Sequence, residues 1–431
     1  MKSNYLKALG PGILFASTCI GVSHLVQSTR AGADYGFTLV WAILLANLFK
    51  YPFFEYGARY ANATGTTLLD GYKKLGKWVL GIYAGITLGS MFFVIAAVGA
   101  VTAGFLQNLF NIQFNLFGFD PFFSTVLIAF GASAIILLLG KYKVLDGMIK
   151  VIGAVLLLST LMAFCLTLGS GPVTQADSFV PKDLWTSGNV LFLIALMGWM
   201  PTAVDLSVWT SLWSVERIKQ TGYHPKMKES LFDFNFGYIV SAILSICFVT
   251  LGAYLLFGSG KPVEPSSAKF ANQVVELYTQ SMGSWSYYLI AIAAFAIMFG
   301  TCIAVLDGYA RSISKTSALL IGKKENKKSY SLWLLFSAVG GILLIYYFLV
   351  YLKGVDPEAS KKGFKGLVDI ATSISFIIAP VVAVANFILV SKKQIGENAP
   401  PTWLRILSYL GILFLVGFSI FYFIGPSMLP E

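Results

Sequence analysis

The chain has 431 residues, of which 57% are hydrophobic and only 12% charged. A water-soluble domain carries about 25% charged residues, so this composition excludes a soluble multidomain protein, a disordered chain and a disulfide scaffold, and places the protein in a lipid bilayer. The net charge of +11 is then no nucleic-acid signal, and no nucleic-acid partner is expected; it is loop charge that orients the chain in its membrane.

A membrane-spanning helix needs about 20 mostly apolar residues. Eleven stretches qualify in chain order, at roughly 11–31, 36–62, 78–107, 122–140, 144–168, 188–214, 232–257, 284–313, 331–352, 367–391 and 403–424. Charged, turn-rich runs separate them, such as Gly140-Lys141-Tyr142-Lys143 and Gly322-Lys323-Lys324-Glu325-Asn326-Lys327-Lys328. The first stretch starts too late and is too polar in its middle to be a cleaved signal peptide. Cys19, Cys165, Cys247 and Cys302 fall inside apolar runs without CxxC spacing, and read as reduced, buried small hydrophobes.

With the amino terminus in the cytoplasm and alternating sides, the inner side collects 22 of the 31 Lys and Arg residues, Lys2 and Lys7 among them. That asymmetry predicts an internal amino terminus and an external carboxyl terminus. Two outer stretches exceed simple turns. Residues 258–283 contain Ala268–Gln280, whose apolar residues recur at helical spacing and suit an interfacial helix. Residues 353–366 carry Lys353, Lys361, Lys362 and Lys365 and read as a solvated loop. One membrane domain, residues 1–431, is expected, with no soluble domain attached.

Glycine, proline and clustered polar groups at bilayer depth are tolerated where backbone lines a cavity. Span 1 shows them in Ala16-Ser17-Thr18-Cys19-Ile20-Gly21-Val22-Ser23-His24, and span 6 in Met197-Gly198-Trp199-Met200-Pro201-Thr202-Ala203-Val204-Asp205. Interrupted helices five spans apart point to a secondary transporter built from inverted repeats, with its site near the midplane. A proline kink in span 6 beside a merely polar span 1 is the plainer alternative.

Several motifs then resemble the Nramp family (natural resistance-associated macrophage proteins), the proton-coupled manganese and iron transporters. They are Gly10-Pro11-Gly12, Ala31-Gly32-Ala33-Asp34-Tyr35-Gly36 with Trp41 and Asn47, Glu55 with Ala58-Arg59-Tyr60, Thr64-Gly65-Thr66-Thr67-Leu68, Met200-Pro201, and Asp307-Gly308 with Arg311. The resemblance implies an all-α polytopic membrane fold of the LeuT type: a 5+5 inverted repeat, about residues 11–168 and 188–391, broken in helices 1 and 6, with an extra helix at about 403–424. It also implies a metal site, yet that site departs from the family. Its Asp-Pro-Gly-Asn is here Gly21-Val22-Ser23-His24, and its Met-Pro-His-Asn is Met200-Pro201-Thr202-Ala203. Residues 78–107 hold no charged residue, so the family's acidic proton route in span 3 is missing.

The candidate cargo-binding residues are Gly21, Ser23, His24, Met197, Trp199, Met200 and Asp205. Met200 and Asp205 are the best metal ligands, because a divalent cation wants a carboxylate and a thioether suits softer metals. Each has a bland counterpart: His24 as a packed histidine, Asp205 in a structural ion pair. Lys50 reads as a partner of Glu55, with Asp205 or an anionic cargo as the functional alternatives. Glu55 with Arg59, and Asp307 with Arg311, are i, i+4 ion pairs or gates. No hydrolase, zinc-protease or P-loop motif occurs, so neither an enzyme activity nor a cofactor is expected. The reading is a secondary transporter in a prokaryotic inner membrane that carries a divalent metal through a rebuilt site, with weak or absent proton coupling. A same-fold transporter of a small organic solute or anion is the alternative. Nothing in the sequence assigns an oligomeric state, and a monomer is compatible with it.

Overall fold

A computed structural model describes residues 8–140, 142–176, 179–355 and 363–430. The expectations for Lys2, Lys7, Lys141, Lys361 and Lys362, and for the side chains of Lys143 and Lys353, lie outside the described residues.

The described chain is helical. Eight helices are long and apolar enough to cross a membrane by length and composition. Three of the eleven expected spans fall short of that test, for two reasons. Spans 1 and 6 are broken, and span 2, Val40–Thr64, carries Lys50, Glu55 and Arg59. Span 1 comprises Pro11–Cys19, a wider π-helical turn Val22–Ser28 and Thr29–Tyr35. Span 6 comprises Ser187–Gly198 and Leu206–Thr221. The others are span 3, Lys77–Phe110; span 4, Pro121–Leu138; span 5, Tyr142–Ser170; span 7, Met227–Leu255; span 8, Tyr287–Ile321; span 9, Lys327–Tyr346 running into Tyr347–Tyr351; span 10, Gly363–Leu389; and span 11, Thr402–Ile424.

The packing follows the internal repeat. Exchanging spans 1–5 with 6–10 turns the span 1–span 7 contact into span 6–span 2, and span 3–span 10 into span 8–span 5, and all four pairs are in contact. The short connecting helices obey the same exchange. Leu68–Leu75 leads into span 3 and packs on it, and Ser267–Met282 leads towards span 8 and packs on it. The latter was expected along the interface. Instead it buries Phe270, Val274, Val275 and Tyr278 against spans 3, 5 and 8, because its apolar face finds the bundle rather than lipid. Span 11 leans on spans 2 and 10 and leaves most of its surface outward.

Span 1 lies unusually close to span 7. A Cβ on Gly237 would sit 2.0 Å from the Gly12 carbonyl oxygen, and one on Gly252 would sit 2.3 Å from that of Thr29. Only glycine allows backbones to approach this closely. The Asp233 carboxylate of span 7 accepts from the amides of Gly10 (3.0 Å) and Gly12 (2.6 Å), and so caps the start of span 1.

Loops assigned to one side meet each other. Lys182 pairs with Asp34, and Lys365 donates to the Val263 carbonyl. On the opposite face Lys315 pairs with Asp70, and Arg59 donates to the Asn398 carbonyl. The cysteines are free, but Cys165 is exposed on span 5 rather than buried, because it lies on the outer side of a peripheral helix.

Candidate functional site: the broken helices

The gap in span 6 runs from Trp199 to Asp205 and contains Pro201. Breaking a helix leaves its last carbonyls and the next helix's first amides without helical partners. The two lips also carry opposite dipole charge, negative at the end of Ser187–Gly198 and positive at the start of Leu206–Thr221.

Lys50 fills the negative lip. Its ammonium, wholly buried, donates to the carbonyls of Met197 (3.1 Å), Gly198 (2.9 Å) and Thr202 (2.7 Å). Span 2 brings it there because Gly57 lets the two spans close up, a Cβ at that position lying 2.3 Å from the Ser207 carbonyl oxygen. The expected pairing of Lys50 with Glu55 does not form. Five residues along a helix turn the two side chains to different faces, and Glu55 is taken by Arg59 Nε at 3.0 and 2.9 Å. Asp307 and Arg311 pair similarly at 2.7 Å, with the Tyr330 hydroxyl also donating to Asp307.

Asp205 stands at the positive lip, 2% exposed. Its side chain caps no helix amide, and neither carboxylate oxygen has a hydrogen-bond partner among the described residues. The Tyr309 hydroxyl of span 8 faces it without closing to hydrogen-bond geometry. The neighbouring Tyr83 and Tyr72 are committed elsewhere, to Ser312 and to Asn386, each at 2.6 Å. A buried carboxylate left without donors is costly, and it is relieved by a cation or a proton.

The span 1 break is tighter. Ile20 and Gly21 separate its parts, and a Cβ on Gly21 would lie 2.9 Å from the Thr301 methyl of span 8. Ser23 donates to the Cys19 carbonyl, turning inward on its own helix end. His24 Nδ1 lies 2.8 Å from the Ser23 hydroxyl, and Nε2 lies 2.9 Å from the Ser241 carbonyl oxygen of span 7. Both ring nitrogens are therefore engaged within the protein, and His24 ties span 1 to span 7. Its full burial among helices favours that role. Trp199 also binds protein, donating from Nε1 to Ser375 of span 10 at 2.8 Å. Met197 contributes its carbonyl to Lys50 and buries its side chain. Met200 lies in the same gap as Asp205, its sulfur 3.9 Å from the Ser28 hydroxyl of span 1. Among the described residues no group of three or more His, Cys, Asp or Glu side chains is arranged to hold a metal ion.

Two groups escaped the sequence reading. Tyr309 reads there as one more apolar-span aromatic. Arg30 was visible as a charge near membrane depth, which is itself a signal. Its partner Asp369 lies 339 residues away, beyond any sequence spacing rule. Arg30 donates to both Asp369 oxygens at 2.7 and 3.0 Å and to Gln27 at 2.8 Å, with its guanidinium 4.6 Å over the Phe192 ring. This cluster joins the second half of span 1 to spans 6 and 10.

Residues 12–425 match the family model described as natural resistance-associated macrophage protein-like. Uncharacterized protein PM0681 of Pasteurella multocida is 37% identical, the match covering 96% of this chain and 91% of that one. The divalent metal cation transporter MntH of Levilactobacillus brevis is 22% identical over 96% of this chain and 86% of its own. Among solved structures, the Eremococcus coleocola manganese transporter superposes with a TM-score of 0.76 at 15% identity, covering 98% of this chain and 87% of that one.

Proposed function

Because this chain belongs to the Nramp family, we propose that it is a membrane transporter that carries a divalent metal cation by alternating access. Asp205 is the anionic ligand of its rebuilt site and Met200 the soft one. The observation that carries this reading is Asp205 itself, a buried carboxylate with neither oxygen hydrogen-bonded among the described residues, at the lip of a broken helix. Half-helix ends at such breaks are where transporters of this architecture hold ions. The relative from Levilactobacillus brevis, named for divalent metal transport, supports the cargo class. Proton coupling is weak or absent, since residues 78–107 of span 3 contain no Asp or Glu. The exchange of Asp-Pro-Gly-Asn for Gly21-Val22-Ser23-His24, and the lack among the described residues of a group of three or more His, Cys, Asp or Glu side chains placed to hold a metal, favour a second reading: a small organic solute or anion as cargo.

Proteoliposomes loaded with a metal-sensitive and a pH-sensitive dye decide between them. Saturable manganese entry is expected, with little acidification, and Asp205→Asn should reduce it at least tenfold. Unchanged uptake by that variant removes Asp205 from the mechanism. No uptake by folded wild-type protein turns the search to organic cargo.

A further inference from the structure

The Met197, Gly198 and Thr202 carbonyls converge on a single point, and the group at that point is Lys50 Nζ. An ammonium has three N–H donors and no acceptor. Each donor here meets one carbonyl, so the match is complete in number as well as in charge. Two of the carbonyls end a half-helix and carry its negative dipole, and the third comes from the unwound segment after Pro201. Contacts of 2.7 to 3.1 Å are N–H···O lengths.

We infer that these three carbonyls form a backbone site for a small monovalent cation of the primary-ammonium class, and that Lys50 is its tethered occupant. This goes beyond the proposed cargo site and does not depend on it. Asp205 faces the other lip, and the occupied site would work equally in a transporter of metals or of organic solutes. Lys50 then acts as a positioning residue. It fixes the shape of the unwound segment, and its charge keeps a second cation away from the carbonyl lip.

Lys50→Ala leaves a channel whose missing atoms correspond to n-propylammonium. The purified variant is expected to melt at a lower temperature than wild type. Adding n-propylammonium should raise its Tm saturably, whereas n-propanol and tetramethylammonium, which lack the three N–H donors, should not. Wild type should not respond. Equal rescue by n-propanol would reduce the effect to cavity filling and overturn the assignment, as would a folded variant indifferent to the amine. A second measurement needs no variant: wild-type protein carrying 15N at lysine Nζ. One ammonium resonance whose protons resist exchange with water supports the site, and only rapidly exchanging lysines overturn it. Neither readout involves transport, so failure here is distinct from failure of the proposed cargo.

Discussion

At the scale of single residues, charge inside the membrane-spanning region divides into three kinds. Lys50 is satisfied by backbone, Glu55 by Arg59, and Asp205 by no hydrogen bond among the described residues. The sequence exposed all four as ionisable groups at depth, and that part of the site was legible. It could not say which partner each takes, because partners are set by helix rotation and by contacts hundreds of residues apart. Arg30 shows the difficulty best. With a side chain 8% exposed against 31% for Asp369, its pair is partly buried. Removing one member should cost about 1–3 kcal/mol, between the values for exposed and buried pairs. Arg30→Ala is expected to lower Tm, and adding Asp369→Asn should cost little more. Full additivity of the two losses in a double-mutant cycle would show that the contact carries no coupling.

At the scale of elements, the breaks in spans 1 and 6 were readable because proline, glycine and polar residues clustered where apolar helix should continue. The span boundaries followed for the same reason. The packed position of Ser267–Met282 was not readable, since an apolar helical face looks alike whether lipid or protein covers it. Glycines were equally ambiguous in sequence. Gly237 and Gly81 both lie in long apolar helices, yet a Cβ on Gly237 would meet backbone at 2.0 Å and one on Gly81 would meet nothing within 4 Å. Gly237→Ala should therefore lower Tm markedly, by more than the about 1–3 kcal/mol of ordinary overpacking, because backbone cannot turn aside as a side chain can. Gly81→Ala should be neutral or slightly stabilising through its helix propensity. Comparable Tm values for the two variants would refute the close crossing.

At the scale of the whole molecule, the alternation of loop charge and the meeting of Lys182 with Asp34 and of Lys315 with Asp70 define two faces. The excess of Lys and Arg predicts that the face bearing Lys315 is the cytoplasmic one. In a cysteine-free background on intact cells, Lys182→Cys should react with a membrane-impermeant maleimide and Lys219→Cys should not; the reverse pattern inverts the assignment. The spacing of the span 1–span 7 contacts has a mechanical consequence. Gly12 and Gly32 lie on either side of the span 1 break, and a Cβ on either would meet span 7 backbone, at 1.9 Å from the Asp233 and 2.0 Å from the Val249 carbonyl oxygen. Span 1 is thus fastened to span 7 on both sides of its break, and once more between them through His24 and Ser241. Its central break is a splinted joint: span 7 runs alongside and is held to the chain on both sides of it, so the two halves of span 1 are joined through their neighbour as well as through the unwound backbone.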